Sequence, residues 1–352
     1  KNYLAFAKTL MDSLAETHPG IDRYILLADR KDRLLTNNSQ SLNAQMVWVE
    51  DAGIPELYRM AFIYNITEFN TSIKPFFIKY LMDVGYTKVI YLDPDIYVYR
   101  CLDTLFSLLD HNSILLTPHI TSAINDYTYM PSELHILKSG VYNLGFIALK
   151  KCTEVESFIT WWMERLREKC CVDYSNGIFV DQGWIDFVPC YYQGVLIIKD
   201  RGYNVAYWNL HERLPITLDE SGPWTCGKPL FFYHFSGMEI DNLRHISKYQ
   251  NRYTIRSDAG LETLFARYRD RLIHNGHHNF KKLRYGFETF DNGKRIIALS
   301  RIAYRRFGHG SISQNPFVVD EHNIFYKQLP YHQLTTLLRI IRTLCRGIPR
   351  LG

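Results

Sequence analysis

The sequence predicts an α/β fold with a mixed sheet and helices on both faces. Residues 1–240 alternate short runs rich in β-branched residues with longer amphipathic segments, which is the pattern of strands alternating with helices. The 352 residues are 47% hydrophobic and 22% charged, a composition typical of globular proteins. Beyond about residue 255 the predicted elements are helical and basic. We therefore divide the chain into an α/β domain, residues 1–250, and a mainly helical basic region, residues 251–352.

Each element follows from a local pattern of apolar residues. Helices are predicted from Tyr3 to His18, over 56–69, 72–83, 103–109 and 153–169, from Asp181 onward, and over 260–275, 294–306 and 331–346. Strands are predicted over 23–29, 46–49, 88–93, 113–117, 141–149 with an interruption at Asn143-Leu144-Gly145, 195–198 and 229–234. An α/β sheet usually begins with a strand, and none precedes the first helix, so we expect a first strand to be missing at the N-terminus.

Several classes of protein do not fit the composition. The sequence contains no run of about 18 apolar residues, which a membrane-spanning helix would need, and no signal peptide is visible. None of the seven cysteines forms a Cys-X-X-Cys pair, so reduced thiols in a cytoplasmic protein are expected. The net charge is +5, and the basic excess is confined to the C-terminal part without a recognised nucleic-acid motif, so no nucleic-acid partner is predicted.

The strongest chemical motif is Asp93-Pro94-Asp95, at the end of an apolar, β-branched run. Residues i and i+2 share one face of an extended chain, so both carboxylates can converge on one point. Pro94 removes a backbone donor and should end the strand pairing. Two carboxylates at a strand end suit Mg²⁺ or Mn²⁺ beside a phosphate. The alternative interpretation is an ordinary turn in which the carboxylates accept hydrogen bonds from backbone N–H groups.

Further segments extend this motif: Asn2-Tyr3, Lys74, Asn143-Leu144-Gly145, Asp181-Gln182 and His234-Phe235-Ser236-Gly237. Together and in this order they resemble retaining glycosyltransferases of the GT-A fold, most like the family 8 type of glycogenin and the bacterial galactosyltransferases. The resemblance covers about residues 2–240. It implies a Rossmann-like mixed sheet flanked by helices, with the helical C-terminal region as an extension.

For the metal, the resemblance implies that Asp93, Asp95 and His234 hold Mn²⁺, or Mg²⁺, against the donor diphosphate. An imidazole beside two carboxylates favours Mn²⁺ over a purely oxygen-ligated ion. Gly237 would let the backbone approach a phosphate closely. The alternative for His234 is a buried core histidine. The family pattern continues with a lysine where this chain has Ile240, and Arg244 or Lys228 are the candidate replacements.

For the donor sugar, the resemblance implies that Asp181 binds hydroxyl groups and that Gln182 lies opposite the leaving phosphate. Asn143 and Gly145 correspond to a turn that contacts the sugar, with Leu144 at a position the family fills with a smaller residue. The alternative for Asp181 is a helix N-cap.

Two further contacts follow from the same resemblance. Lys74 falls where the family has an arginine that touches the donor sugar and a carboxylate ligand. Asn2 and Tyr3 correspond to a pair that lines the nucleotide base. The alternatives are a solvated helix lysine and an N-cap followed by a core aromatic.

The expected function is metal-dependent transfer of a sugar from a nucleotide-sugar, with UDP-sugar favoured, to a glycan or a lipid-linked glycan. Because Gln182 is a poor nucleophile, the resemblance implies retention by front-side attack. A non-catalytic sugar-nucleotide binding or interaction module remains the alternative. A haloacid-dehalogenase-type phosphatase fits less well, because it would carry Thr or Val at the position of Tyr97.

The helix predicted over 331–346 is cationic and amphipathic. Its apolar and basic positions are Leu337, Leu338, Ile341, Leu344 and Cys345, and Arg339, Arg342 and Arg346. Such a helix suits an anionic membrane surface, so we expect a peripheral contact at the inner face of the membrane. An ordinary packing helix is the alternative.

Overall fold

The computed structural model describes residues 1–31, 42–307, 315–320 and 322–346, and within the last helix it describes side chains up to residue 340. It confirms the mixed α/β class, with a central mixed sheet flanked by helices. The strands are β1 (Tyr24–Leu27), β2 (Gln45–Trp48), β3 (Lys88–Leu92), β4 (Ile96–Val98), β5 (Ile114–Pro118), β6 (Tyr142–Lys150), β7 (Val172–Asp173), β8 (Ile178–Phe179), β9 (Val195–Ile197), β10 (Ile216–Asp219), β11 (Gly222–Thr225), β12 (Lys228–Pro229) and β13 (Phe232–His234).

The helices cover both faces of the sheet and most of the C-terminal part. They are α1 (Leu4–Thr17), α2 (Leu57–Ile63), α3 (Ile66–Ser72), α4 (Lys74–Asp83), α5 (Asp103–His111), α6 (Glu133–Ser139), α7 (Thr153–Lys169), α8 (Gln182–Ile185), α9 (Val188–Tyr191), α10 (Leu210–Arg213), α11 (Ala259–His274), α12 (His277–Phe280), α13 (Ala298–Phe307) and α14 (Ile324–Arg346). None of these helices combines the length and the apolar character needed to span a bilayer.

The central sheet has four strands in the order β3-β6-β5-β9. Strand β6 is antiparallel to both neighbours, and β9 is parallel to β5. The interruption expected at Asn143-Leu144-Gly145 is wrong, because β6 continues through it and is buried from Tyr142 to Leu149. A polar residue can lie inside a buried strand when its side chain is hydrogen-bonded, and Asn143 is.

A two-stranded sheet of β4 and β13 places Asp93 and Asp95 beside His234. Strand β3 ends at Leu92, and the N–H of Asp93 still donates to the carbonyl of Gly145 at 2.8 Å. The chain resumes as β4, which pairs antiparallel with β13 so that His234 lies opposite Ile96. The strand predicted over 229–234 is therefore two strands, β12 and β13, and only the second reaches the site.

The helix predicted over 56–69 is also wrong in detail, because the structure has two helices, α2 and α3. Tyr64 is extended, and Asn65 caps α3 by accepting hydrogen bonds from the N–H groups of Thr67 and Glu68. Glu68 completes the capping box by accepting from the N–H of Asn65. Asn at the N-cap with Glu three residues later is a known signal for the start of a helix, so the sequence could have predicted this break. Helix α4 then begins at Lys74.

The C-terminal region packs against the α/β part. Arg301 on α13 is buried and donates through Nη1 to the carbonyls of Ala61, Phe62 and Tyr64 at 2.7 to 2.9 Å. These carbonyls lie at the end of α2, where a helix leaves acceptors unpaired. The division at residue 250 stays a prediction.

Three features in this half of the chain differ from the predictions. The helix expected from 294 begins at Ala298, and the helix expected from 331 begins at Ile324 with Pro330 inside it. The hairpin of β10 and β11 was not predicted.

Candidate metal and donor site

Two carboxylates and one imidazole meet where β3 ends and β4 pairs with β13. Nε2 of His234 lies 3.0 Å from Oδ1 of Asp95 and 3.9 Å from Oδ2 of Asp93. One ligand atom from each of the three residues lies within 4.8 Å of the others. The two aspartates are partly exposed, whereas His234 is buried. The structure thus brings together the three residues predicted as metal ligands.

The ring of His234 packs directly against the backbone of Gly145, where there is no room for a side chain. A Cβ at position 145 would lie 2.6 Å from Nδ1 of His234 and closer still to its Cε1. On another side the indole of Trp208 meets the imidazole edge to face, with 5.2 Å between ring centroids. Nδ1 of His234 is buried without a hydrogen-bond partner among the described residues. The ring is therefore fixed by packing, with Nε2 aimed at the carboxylates.

The pKa values of Asp95 and His234 each depend on the charge of the other residue. Burial would raise the pKa of Asp95, but the imidazole of His234 outweighs burial and lowers it. Burial would lower the pKa of His234, but Asp95 and then Asp93 raise it. Two carboxylates and an imidazole in this arrangement fit Mn²⁺ or Mg²⁺, since these ions take oxygen ligands and Mn²⁺ also accepts nitrogen.

Lys74 is buried and forms ion pairs with two carboxylates of the site. Its Nζ lies 3.0 Å from Oδ2 of Asp181 and 3.4 Å from Oδ1 of Asp93, and it donates to the carbonyl of Leu144 at 2.9 Å. The ammonium also lies over the ring of Tyr91, 4.8 Å from its centroid. Burial lowers the pKa of Lys74, but Asp181 and Asp93 outweigh burial and raise it. The lysine is charged, and its three donors are engaged by the protein.

Asp181 is a buried carboxylate with free acceptor capacity. It precedes α8 at the N-cap position, but its side chain makes no capping hydrogen bond. Oδ2 is paired with the ammonium of Lys74 at 3.0 Å, whereas Oδ1 has no hydrogen-bond partner among the residues that the structure describes. Burial raises the pKa of Asp181 against the opposing effect of Lys74. Val180 before it has φ of 41°, a strained value for a β-branched residue.

The side chain of Gln182 is held at the edge of the site by three hydrogen bonds. Its Oε1 accepts from Nδ2 of Asn143 at 3.0 Å and from the N–H of Leu144 at 3.1 Å, and its Nε2 donates to the carbonyl of Ser139. The amide thus positions β6 and the end of α6. The assigned role of Gln182 opposite a leaving phosphate stays a prediction.

A buried polar network behind Asn143 was missed from the sequence. Oδ1 of Asn143 accepts from Nδ2 of Asn204 at 3.0 Å and from the N–H of Gly145, and Nδ2 of Asn143 lies 3.2 Å from Nε2 of His119. Burial lowers the pKa of His119 to about 4. No local motif marks His119 or Asn204, although the left-handed φ of Asn204 suits an asparagine.

Three remaining predicted residues lie before α1 and after β13. Tyr3 is half exposed and stacks on Phe6 at 4.7 Å, and burial followed by the charge of Asp95 raises its pKa to about 12. Gly237 has φ of 71°, and a Cβ there would lie 2.6 Å from the ring of Tyr249. Asn2 is partly buried immediately before α1.

Lys228 and Arg244 are the candidate replacements for the lysine that is absent at Ile240. Lys228 is exposed on the sheet of β10, β11 and β12, and Arg244 is also exposed. Ile240 itself is buried in the apolar core. A different lysine, Lys248, lies over the ring of Tyr249 at 5.0 Å, and its N–H donates to the carbonyl of Gly237 at 3.0 Å.

Comparison with known proteins gives no family assignment, since no family model matches the chain. The uncharacterized protein YfnF of Bacillus subtilis (strain 168) is 26% identical over 262 residues, which cover 73% of this chain and 85% of YfnF. The uncharacterized protein YfnD of the same strain is 24% identical over 237 residues, which cover 66% of this chain and 73% of YfnD.

Three solved structures are similar at lower identity. An active-site mutant of LgtC is 17% identical, with a TM-score of 0.38, over 76% of this chain and 91% of its own. The glycosyltransferase GlyE of Streptococcus pneumoniae TIGR4 is 15% identical, with a TM-score of 0.43, over 82% and 64%. The bifunctional glycosyltransferase WbbM is 15% identical, with a TM-score of 0.43, over 82% of this chain and 49% of its own. These scores are too low to support a functional assignment.

Proposed function

We propose that this protein transfers a sugar from a nucleotide-sugar, with UDP-sugar favoured, to a glycan or lipid-linked glycan acceptor, with retention and with dependence on a divalent metal. The observation that carries the proposal is the convergence of two functional parts. Asp93, Asp95 and His234 form a ligand set for a divalent cation. Asp181, a buried carboxylate with one oxygen unpartnered, lies beside it and shares Lys74 with Asp93.

The ligand set accounts for departure of a nucleoside diphosphate. A divalent cation bound by Asp93, Asp95 and His234 would stabilise negative charge on the leaving phosphate. Lys74 holds Asp93 and Asp181 in fixed positions, because it is paired with both and is itself buried. We therefore assign to Lys74 a positioning role rather than direct contact with a phosphate.

The neighbouring carboxylate accounts for sugar binding. A buried acceptor without a partner is costly, and a sugar hydroxyl is a donor that would satisfy Oδ1 of Asp181. Gln182 is held by three hydrogen bonds and is a poor nucleophile. This favours retention by front-side attack over a double displacement through a covalent intermediate.

The remaining donor contacts follow from the cleft. Tyr3, with Asn2 before it, offers a half-exposed ring for the base. Lys248 supports the diphosphate in place of the lysine absent at Ile240, because it lies beside Gly237 and Tyr249. Lys228 and Arg244 have no such placement.

The test is a thermal-shift panel of UDP-, GDP- and dTDP-sugars with and without Mn²⁺. A ligand that binds only the native state raises the unfolding temperature, so one nucleotide should stabilise the protein only with Mn²⁺. Asp93→Ala and Asp95→Ala should abolish both this stabilisation and transfer, whereas the exposed Asp83→Ala should not. Near-normal turnover in either site variant would overturn the metal assignment.

The alternative, a non-catalytic sugar-nucleotide binder, predicts the same stabilisation without turnover. Slow hydrolysis of the bound donor in Mn²⁺ separates the two, because only an enzyme activates the bond to the leaving phosphate. Binding with no hydrolysis and no transfer would favour the binding module.

We also propose a peripheral membrane contact through residues 331–346. Tyr331, Leu334, Leu337 and Leu338 are exposed on α14, at 43 to 68%. Ile341, Leu344, Cys345, Arg342 and Arg346 lie beyond the described side chains. Leu334→Ser with Leu337→Ser should reduce binding to anionic phospholipid vesicles and leave nucleotide binding unchanged. Unaltered vesicle binding would refute the contact.

A further inference from the structure

A cavity of about 780 Å³ opens beside the C-terminal end of α1. Its walls come from β4, α1, α11 and the β10–β11 hairpin, and include Tyr97, Tyr99, Glu16, Arg267 and Arg271. None of the residues assigned above to metal or donor lines it. Its volume is within the range of small-ligand sites.

The cavity is close to the metal site along the chain but is lined by none of its residues. Tyr97 in the cavity wall is two residues from Asp95, and Glu16 lies in the last turn of α1. A donor sugar held at Asp181 does not occupy the cavity, because Asp181 does not line it.

The floor of the cavity is aromatic. Tyr97 and Tyr99 are two residues apart, so their rings lie on one face of the extended chain, with centroids 4.8 Å apart. The buried ring of Tyr268 meets Tyr97 edge to face at 6.1 Å. Tyr97 and Tyr99 are only partly buried, and they line open space with an apolar face and a hydroxyl tip each.

The rim carries charges that nearly cancel. Glu16 accepts from the hydroxyl of Tyr97 at 3.4 Å and is paired with Arg271 at 2.9 Å. Arg267, one turn earlier on α11, is exposed and forms no ion pair with any residue in the described part of the chain. Asp270 is exposed between the two arginines. Two guanidinium groups thus face two carboxylates.

We propose that this cavity binds a neutral oligosaccharide and holds a distal part of the acceptor glycan. Tyrosine faces suit the apolar faces of sugar rings, while guanidinium and carboxylate groups supply the donors and acceptors that sugar hydroxyls need. A polyphosphate is disfavoured because Glu16 and Asp270 oppose its charge. A lipid tail is disfavoured because the rim is ionic. Assignment of the saccharide to the acceptor rests on the proposed function; binding of a saccharide does not.

The test uses the full chain and linear hexasaccharides of glucose and N-acetylglucosamine as probes, with binding measured by saturation-transfer NMR and by titration of tyrosine fluorescence. We expect binding at millimolar concentration, weakened about tenfold or more by Arg267→Ala and by Tyr99→Ala, as expected for anchor residues. Arg256→Ala, an exposed arginine outside the cavity, is the matched control. Because Tyr99 is partly buried, Arg267→Ala keeps the test valid if Tyr99→Ala fails to fold.

Two results would overturn the proposal. One is the absence of binding by every probe. The other is binding that survives both cavity variants but is lost in Asp181→Asn, which would place the saccharide in the donor cleft. Nucleotide binding in Mn²⁺ is measured separately on the same variants and should be unchanged, so failure of the cavity proposal is distinguishable from failure of the proposed function.

Discussion

Gly145→Ala is the sharpest test of the site, because one methyl group should uncouple the histidine from the carboxylates. The new Cβ would lie 2.6 Å from Nδ1 of His234 and 2.8 Å from Oδ1 of Asn143, well inside the 3.4 Å of ordinary contact. The carbonyl of Gly145 accepts from the N–H of Asp93 at 2.8 Å and its own N–H donates to Oδ1 of Asn143, so both backbone groups are held in place. The imidazole must therefore move.

The size of the effect follows from two terms. Overpacking a core costs about 1–3 kcal/mol of unfolding free energy, and we expect a loss of about 2 kcal/mol in urea unfolding. Disturbing the groups that orient a metal ligand typically costs about 10–100-fold in metal affinity. Calorimetric titration of Mn²⁺ in the presence of UDP should show this loss, and the ligand-induced rise in unfolding temperature should shrink with it.

The matched control is Gly20→Ala, where a Cβ meets no atom within 4 Å and the backbone is not left-handed. It should leave both measurements unchanged. Wild-type Mn²⁺ affinity in Gly145→Ala would refute the placement of His234 as a ligand.

Three further predictions concern stability. Lys74→Met leaves the buried carboxylate of Asp181 without its counter-charge and should cost about 3–5 kcal/mol in urea unfolding, whereas Lys79→Met, on the exposed face of α4, should cost little. Burial lowers the pKa of His119 from 6.5 to about 4, so the unfolded chain binds the proton first, and stability falls as pH drops through this window by up to about 3 kcal/mol. His119→Gln should flatten this part of the curve of unfolding free energy against pH, and an unchanged slope would contradict it. Arg301→Lys cannot serve the carbonyls at the end of α2 and should cost about 2–3 kcal/mol; equal urea midpoints would show that the buried guanidinium is not needed.

Much of the fold was predictable because its signals are local. The runs around Ile90, Leu115 and Leu196 are apolar and β-branched, and they form strands β3, β5 and β9 as predicted. The errors occurred where a side chain changed a local preference. Asn65 broke a predicted helix by capping the next one, and Asn143 continued a strand because its amide is hydrogen-bonded inside the sheet.

The candidate site was predictable in its members but not in their contacts. Asp93 and Asp95 share a local motif, yet His234 lies about 140 residues away and joins them only through the pairing of β4 with β13. His119 and Asn204 carry no local signal, since their partners come from other strands and loops.

The chemistry available to this protein can be read from its sequence alone. Its α/β pattern, the carboxylate pair at a strand end and the spacing of aromatic and charged side chains are properties of neighbouring residues. Which groups remain free for a ligand depends on how the chain folds. Lys74 and Gln182 are engaged by the protein, whereas Asp181 keeps one oxygen, Oδ1, without a partner among the described residues. The physical reason is that hydrogen bonds and ion pairs act over a few ångströms in space, and distance in space is not set by distance along the chain.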